Sequence, residues 1–413
     1  MDKTLLDNGI ERLGRLTPML GFNPEEERRI SGIFRAMASG WGEIPCRGRP
    51  RFPSDICDDS SPFEFSVAFE GAAPELRILS ETWAPRPTMM ANWHAALAFT
   101  EMLAFTLGLS LDRLRAVQDL FAPTLVTPRF SLWHAACFRP GAPPEIKVYL
   151  NPFARGPALS RRLVVEALER LGFRSAWRFL PAESVSVRTI YFGMDLPSSG
   201  GGRASSPPRV KVYTAYHGSD PAQIEADLRV AGGYVPGRIT SFYEAMRGDG
   251  AGRRSRVPPR PVQTCLSFTE LSAPPTTGTL YFPVRAHADS DFEVRERVLA
   301  MMEPERGALY DRVLSAFADR PLTDGVGMQS YVSLRQAPGP NRLTIYLAPE
   351  VFSVAGRGRR VDQDSGIVAR PDIEAPSRPS EALLSASGEE GSRRRRPPST
   401  SAETAWQNRR SGW

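Results

Sequence analysis

Two lysine–valine–tyrosine tripeptides carry the clearest chemical signal in the sequence. The chain has 52 lysine and arginine residues, but only three of them are lysines. Two of the three open the tripeptides Lys147–Tyr149 and Lys211–Tyr213. Each tripeptide lies in a run where polar and aliphatic residues alternate, which is typical of a β-strand and places the cation and the phenol on one face. Such a face can hold an anionic ligand beside an electron-poor group.

The elements that must position these residues repeat along the chain. Five predicted strand pairs are separated by helical stretches, and equivalent second strands recur at a spacing of roughly 65 to 70 residues, which indicates an internal structural repeat. The predicted helical stretches include Pro24–Met37, Met90–Leu107, Ser160–Leu171, Pro221–Val230 and Phe292–Met302. The predicted pairs are Phe63–Phe69 with Glu75–Ser80, Phe130–Phe138 with Glu145–Leu150, Ser184–Met194 with Arg209–Thr214, Val262–Thr269 with Thr279–Val284, and Gln329–Arg335 with Arg342–Leu347.

The second strands all have one aliphatic face and one face rich in tyrosine, arginine and lysine. An antiparallel sheet with one apolar face usually turns its polar face to water. Here the helices must cover the apolar face, and closure of ten strands would remove the sheet edges and enclose the polar face. We therefore predict an α+β fold: a ten-stranded antiparallel β-barrel with a polar lumen, surrounded by a ring of α-helices in five ααββ repeats. The alternative is an open sheet with a solvated polar face.

Composition divides the chain into three predicted segments. Residues 1–58 are predicted to form a helical segment and a connection that pack on the barrel, and residues 59–356 the barrel itself. Residues 357–413 are rich in arginine, serine and proline, which predicts a disordered tail. An interaction role for this tail is the alternative.

Several classes of protein are disfavoured. A net charge of +6, half of it in the predicted tail, argues against a nucleic-acid-binding protein. We find no apolar run of ~18 residues, so no membrane span is expected, and the first 20 residues do not have the pattern of a signal peptide. Four scattered cysteines fit a reduced, cytoplasmic chain.

Several motifs resemble the dimethylallyl tryptophan synthase family, the aromatic prenyltransferases of the ABBA barrel type. The likeness runs from about Pro62 to Phe352 and is specific at four places, and the preference for arginine over lysine resembles a bacterial member. The family implies ionisation of dimethylallyl diphosphate and attack of an indole ring on the allyl cation. The four places are Pro62–Ser66, Lys147–Tyr149, Arg209–Tyr213 and Tyr331–Glu350.

The resemblance assigns roles to the strand residues, and the chemistry supports those roles. Preorganised cations stabilise a leaving diphosphate, and phenol rings stabilise an allyl cation while they exclude water. A surface ion pair is the alternative for each arginine, and core packing for each tyrosine. The predicted diphosphate ligands are Arg77, Lys147, Arg209, Lys211 and Arg342, and the predicted cation shield is Tyr149, Tyr213, Tyr281 and Tyr346.

Four further residues are assigned to the aromatic acceptor. In the family, the residue at the position of Glu64 accepts a hydrogen bond from the indole N–H and can act as base for nitrogen prenylation. His134 is predicted to take the ring proton, and a hydrogen-bonded histidine of the barrel wall is the alternative. Arg188 is predicted to hold an acceptor carboxylate, and Tyr191 is predicted as a further acceptor-binding residue.

No metal site or cofactor is expected. Asp58-Asp59 lacks the Asp-rich D-D-x-x-D motif by which all-helical isoprenoid synthases hold magnesium, and the barrel cations can replace that metal. The expected partners are therefore two small molecules, an allylic diphosphate and an aromatic acceptor, without nucleic acid or membrane. Oligomeric state is left open. The alternatives are a phenolic or naphthalene acceptor, geranyl diphosphate as donor, or a binding barrel without catalysis.

Overall fold

A computed structural model of the chain contains one closed β-barrel. Its ten antiparallel strands follow one another in chain order, and the first strand pairs with the last. The predicted barrel is therefore confirmed, and the open sheet is excluded. The predicted tail, residues 357–413, lies outside the described residues, and the proposed division at residue 58 stays a prediction. The structure describes residues 2–48, 50–71, 73–124, 130–199, 209–218, 220–248, 260–269 and 274–352.

The strands have nearly the bounds that alternation predicts. They are β1 Phe63–Phe69, β2 Glu75–Glu81, β3 Leu132–Phe138, β4 Glu145–Leu150, β5 Val187–Leu196, β6 Val210–Tyr216, β7 Val262–Phe268, β8 Thr277–Pro283, β9 Gln329–Arg335 and β10 Arg342–Leu347.

The described helices surround the strands in the predicted repeat order. The third repeat deviates from it, because one of its α-helices is replaced by short 3-10 turns. The α-helices are α1 Leu5–Met19, α2 Pro24–Met37, α3 Met89–Leu107, α4 Asp112–Arg115, α5 Ser160–Arg170, α6 Pro221–Leu228, α7 Arg238–Arg247, α8 Asp291–Leu299 and α9 Pro304–Phe317. The 3-10 helices are Gln118–Phe121, Pro152–Arg155, Pro157–Leu159 and Ala176–Phe179.

The N-terminal helices begin at residues that favour a helix start. Asn23 caps α2 by accepting hydrogen bonds from the backbone of its first turn, Glu26 bonds back to the cap, and Pro24 occupies the first position. The ring of Phe34 on α2 then packs against Phe63 and Phe65 of β1, with centroids 5.4 and 5.8 Å apart. This contact shows how an outward-facing strand residue is buried beneath the helix layer.

The strand register separates two environments. Val148 and Val212 point outward and are buried under helices, whereas Lys147 and Tyr213, at adjacent positions on the same strands, face the lumen. The polar lumen is therefore a consequence of period-two alternation in a closed sheet. No helix in the described part of the chain is long and apolar enough to cross a membrane.

Candidate active site

The lumen holds a cavity with a volume of about 110 Å³. Most of the predicted site residues line it, together with residues that were not predicted. The predicted residues in its wall are Glu64, Arg77, Lys147, Tyr149, Tyr191, Lys211, Tyr213, Tyr281 and Tyr346. The other residues in its wall are Asp55, Ile56, Ser66, Leu79, Trp133, Ala135, Cys137, Arg260, Gln263 and Tyr331.

One end of the lumen, which we call the cationic end, is formed by Arg77, Lys147, Arg209 and Lys211. Carboxylates hold two of these cations in place. Arg77 Nε lies 2.5 Å from Glu75 Oε1, and Arg209 Nε lies 2.8 Å from Asp195 Oδ2. The arginines are therefore fixed before any ligand arrives, which lowers the cost of organising an anion site.

The carboxylates of the cationic end were not predicted as part of the site. Burial opposes ionisation of Glu75, but Arg77, Lys147 and Arg139 hold its pKa well below the usual range. The pKa of Asp195 is also lowered: burial opposes the change, and Lys147 and Arg209 cause it. Both groups are therefore ionised and neutralise part of the positive charge.

Lys211 differs from the other cations of this end. Lys147 lies 3.1 Å from Cys137 Sγ and 3.9 Å from Glu145, but no residue in the described part of the chain forms a hydrogen bond or ion pair with Lys211. Burial, followed by repulsion from Lys147 and Arg209, lowers its pKa to about 8. The cationic end therefore contains one partly buried ammonium that an incoming anion would stabilise.

Two predicted diphosphate ligands lie outside the cavity wall. Arg209 precedes β6 at the rim and contacts Asp195 and Glu145. Arg342 opens β10 opposite Arg335, in register with the lumen face, and is partly exposed. Both stand at the same end of the strands as the other cations, so they can contact an anion only at the mouth of the lumen.

The four predicted shield tyrosines form a continuous belt. Centroid distances are 5.8 Å for Tyr149–Tyr213, 5.7 Å for Tyr213–Tyr281 and 5.7 Å for Tyr281–Tyr346. Burial raises the pKa of all four phenols, so they stay neutral. Tyr331 extends the belt, with its centroid 6.4 Å from that of Tyr346. A water-poor ring of π faces follows directly after the cations.

Glu64 lies beyond the belt, at the end of the lumen away from the cations. It is 5% exposed, and Ser330 Oγ donates a hydrogen bond of 2.5 Å to its Oε1. Burial raises the pKa of Glu64 to about 7, although the Ser330 bond and the charge of Arg260 lower it. Near neutral pH this carboxyl can accept a hydrogen bond and also exchange a proton.

The lumen position predicted for His134 is wrong. Its neighbours Trp133 and Ala135 face the cavity, so its own side chain points outward to α3. Thr100 Oγ1 donates to Ala96 O and is hydrogen-bonded to Nε2 of His134 at 2.8 Å, and Thr82 Oγ1 lies 3.3 Å from Nδ1. Burial lowers the His134 pKa to about 3. It is the hydrogen-bonded wall residue that was the alternative.

Arg188 is also not part of the cavity wall. It pairs with Ala215 near the start of β5 and is partly exposed. Arg260, which was not predicted, lines the cavity together with Tyr191. Its Nε contacts Asp58, and its Nη1 donates to Asp55 O at 3.1 Å. The irregular register of β5 between Thr189 and Tyr191 places Arg188 opposite Ala215, on the same strand face as Tyr213, so its role at the acceptor end stays a prediction.

Sequence signals existed for some of the unpredicted residues. Gln263 lies on the polar face of a predicted strand, and its Nε2 donates a hydrogen bond of 3.1 Å to the hydroxyl of Tyr331. Trp133 was not predicted, because side-chain polarity favours His134 as the lumen residue of β3, whereas Trp133 faces the lumen and His134 faces outward. Arg260 precedes β7 and belongs to no periodic pattern. Alternation therefore finds lumen residues in strands where polarity and facing agree, and it misses those in β3 and those that loops supply.

Among the described residues, no group of three or more histidine, cysteine, aspartate or glutamate side chains is arranged to hold a metal ion.

Solved structures of high similarity identify the family. No protein-family model matches the chain. The 5-dimethylallyl tryptophan synthase from Streptomyces coelicolor, in complex with DMASPP and Trp, is 30% identical with a TM-score of 0.77, and the match covers 90% of this chain and all of the other. The 6-dimethylallyltryptophan synthase from Micromonospora olivasterospora, also with DMASPP and Trp, is 32% identical with a TM-score of 0.75 over 85% and 98%.

A third structure, the ternary complex of the prenyltransferase PriB with L-tryptophan and dimethylallyl thiolodiphosphate, is 31% identical. Its TM-score is 0.75, and the match covers 86% of this chain and 98% of PriB. The three matches thus cover nearly the whole length of each related protein. By its lumen and by these matches, the chain belongs to the dimethylallyl tryptophan synthase family of aromatic prenyltransferases.

Proposed function

We propose that this chain transfers the dimethylallyl group of dimethylallyl diphosphate to the indole ring of tryptophan or of a tryptophan-derived metabolite. The observation that carries the proposal is the order of groups along one lumen: cations first, then the tyrosine belt, then a buried carboxyl. Its relatives are tryptophan prenyltransferases, and three of their structures hold tryptophan with a dimethylallyl donor analogue. The order matches the charges that the reaction develops.

The first step breaks the bond between the allylic carbon and the diphosphate oxygen. The diphosphate leaves with the electron pair, and Lys211 and its neighbours stabilise it, because preorganised cations in a water-poor site are most effective where charge develops. The allyl cation remains beside the tyrosine belt. The neutral phenols stabilise it with their π faces and keep water away.

The second step forms the bond between the cation and the acceptor ring, and the ring then loses a proton. Where carbon is the prenylated atom, the diphosphate that left with the electron pair is the base that takes this proton. Glu64 accepts a hydrogen bond from the indole N–H, which raises the electron density of the ring. Where nitrogen is the prenylated atom, the same carboxylate takes the proton. A pKa of about 7 keeps Glu64 partly ionised at neutral pH, as both roles require.

An acceptor carboxylate would meet Arg260. This guanidinium lines the cavity with Asp55 and Tyr191. Asp58 pairs with both Arg260 and Arg285, so two guanidiniums share one carboxylate at this end. Tryptamine, which lacks the carboxylate, should therefore show a higher KM than tryptophan. Equal KM values would remove Arg260 from acceptor binding.

Metal independence is part of the proposal, since the cations of the barrel supply the charge that magnesium supplies elsewhere. The test is incubation of the purified protein with dimethylallyl diphosphate and tryptophan in EDTA, read by mass spectrometry, with E64Q as the matched control. A product heavier by one C5H8 unit is expected. Activity that requires added magnesium would contradict metal independence.

Other outcomes of this incubation would change the acceptor or the class of protein. Product only with phenols or naphthols would show that the acceptor is phenolic and not an indole. Product only with geranyl diphosphate would show that the donor is a C10 diphosphate. Donor binding without product for any acceptor would indicate a binding barrel. A cytoplasmic location is also proposed, consistent with four free cysteines, and cell fractionation would test it.

A further inference from the structure

A second buried carboxyl, Glu81, lies beside the acceptor end and has no part in the steps above. It ends β2 on the lumen face and stands directly opposite Trp133 of β3. The residue is fully buried, and Ser54 Oγ donates a hydrogen bond of 2.6 Å to its Oε2. Directly opposed side chains on one face of an antiparallel pair are in contact range. Glu81 and Trp133 are therefore neighbours by register.

Polar atoms without partners converge at this place. Glu81 Oε1, Trp133 Nε1 and Trp83 Nε1 are all buried, and none has a hydrogen-bond partner among the described residues. Burial raises the pKa of Glu81 to about 8, while Ser54, Trp83 and Trp133 lower it. The two indole N–H groups thus face the carboxyl without reaching hydrogen-bonding geometry. A buried polar atom left unsatisfied destabilises the fold, so a small ring movement that makes these bonds is favoured.

Trp133 connects this cluster to the cavity. Its ring lines the lumen and lies between Phe130 and Tyr191, with centroid distances of 3.9 and 5.2 Å. Ile56, in the same hydrophobic cluster, also lines the cavity. The plane of the Trp133 ring therefore sets the shape of the acceptor end. Trp83 does not line the cavity, although its N–H faces the same carboxyl.

We propose that Glu81 is a positioning residue, which holds the indole N–H of Trp133 and so fixes the ring against which the acceptor lies. This inference rests on the proposed function. The carboxyl acts only through Trp133 and does not touch the reacting atoms. Because the bond-forming atoms must meet within a few tenths of an ångström, a tilt of the Trp133 ring changes which acceptor atom faces the cation. Glu81 thereby contributes to the ring position that is prenylated.

The test compares three substitutions at two residues. E81L removes the acceptor of the N–H bond, W133F keeps an aromatic ring but removes the N–H, and E81Q keeps a carbonyl oxygen in place. We expect E81L and W133F to raise the KM for the acceptor several-fold and to change the ratio of product isomers. E81Q should restore most of the parent ratio. Affinity for the donor should stay unchanged in all three, because the cationic end is intact.

The double variant E81L/W133F separates a positioning role from a merely structural one. If the carboxyl acts through the indole N–H, the double variant resembles either single variant, since neighbours in one network are not additive. W83F is the matched control, which removes the other N–H without altering the cavity wall, and it should leave the isomer ratio unchanged. Additive effects, or failure of E81Q to restore the ratio, would overturn the proposal.

A readout that does not depend on turnover keeps this inference distinct from the proposed function. In protein labelled with fluorotryptophan, the Trp133 resonance, identified by its loss in W133F, should shift in E81L and return in E81Q. A shift without any product from the parent enzyme would leave the Glu81–Trp133 contact standing and reject the reaction. Product without a shift would reject the contact and keep the reaction.

Discussion

At the scale of single residues, two titrating groups occupy opposite sides of the tyrosine belt. Burial disfavours the charged form of each, which raises the pKa of an acid and lowers that of a base. Glu64 accordingly has a pKa of about 7 and Lys211 a pKa of about 8. In the proposed reaction, Lys211 meets the donor and Glu64 meets the acceptor. The effects of pH on donor binding and on acceptor attack can therefore be measured separately.

The Glu64 carboxylate should produce the acidic limb of the kcat/KM profile. With excess donor, kcat/KM for the acceptor should fall as pH drops below about 7, because protonation of Glu64 removes the negative charge that accepts the hydrogen bond from the indole N–H. The hydrogen bond from Ser330 lowers the pKa of Glu64, so S330A should move this limb to higher pH. E64Q should abolish the limb and reduce kcat/KM by about 10²- to 10⁴-fold, the usual range for a positioned acid–base group.

Two outcomes of this pH titration would contradict the role of Glu64. An S330A profile that coincides with that of the parent would show that the limb belongs to another group. An E64Q enzyme with parental kcat/KM would remove Glu64 from the reaction altogether.

The charge of Lys211 should set the alkaline limit of donor binding. Above a pKa of about 8 the ammonium loses its proton, and affinity for the thiolodiphosphate analogue should fall by up to about tenfold per pH unit. K211R is the matched control, because arginine stays protonated throughout this range. Calorimetric titration should show a flat pH dependence in K211R. An equal decline in both proteins would assign the effect to a different group.

At the scale of elements, alternation predicts the strands well and the loops poorly. The bounds of β1, β4, β9 and β10 agree with prediction, since polar and aliphatic residues alternate strictly in them. Strand β3 shows the limit of the method, because Trp133 faces the lumen and His134 the helices. Side-chain polarity indicated the wrong face there. Only the pairing with β4, where Ala135 opposes Lys147, reveals the register.

Substitutions at two adjacent residues of β3 test which of them faces the lumen. H134A removes the bonds to Thr100 and Thr82 outside the barrel, so it should lower the free energy of unfolding by about 1–3 kcal/mol. The pH profile of kcat/KM should stay that of the parent. A135L, one residue further, should instead reduce activity through the lumen with little loss of stability. A changed pH profile in H134A would return His134 to the reaction.

At the scale of the whole molecule, closure brings together parts of the chain that no local pattern connects. Ser66 of β1 pairs with Tyr346 of β10, and Glu64 receives its hydrogen bond from Ser330. On the outside, Arg12 of α1 donates to Pro349 O at 2.8 Å. The alternation of the repeated strands predicted the closure, and the resemblance to a known family agreed with it, whereas the partners of each buried charge required the structure. Those partners set the pH dependence of the whole fold.

Stability should decline between about pH 5 and 8. When folded, Glu64 and Glu81 keep a proton up to their pKa values of about 7 and 8, whereas in the unfolded chain they ionise near their ordinary pKa. The folded state therefore binds more protons until first Glu64 and then Glu81 ionises, and stability falls as pH rises. Below this range the sign reverses, because Glu75 and Asp195 have lowered pKa values when folded and lose their contribution as they protonate. A maximum near pH 5 is therefore expected in urea unfolding.

The decline can be assigned to the two carboxyls by substitution. E64Q/E81Q should abolish this decline, because glutamine does not ionise in either state. The buried His134, with a pKa of about 3 when folded, then leaves a rise in stability up to about pH 6.5. E43Q is the matched control at an exposed carboxylate and should leave the slope unchanged. A decline that persists in the double variant would mean that Glu64 and Glu81 do not govern this range. The burial that raises the pKa values of Glu64 and Glu81 would then have no measurable effect on the stability of the barrel.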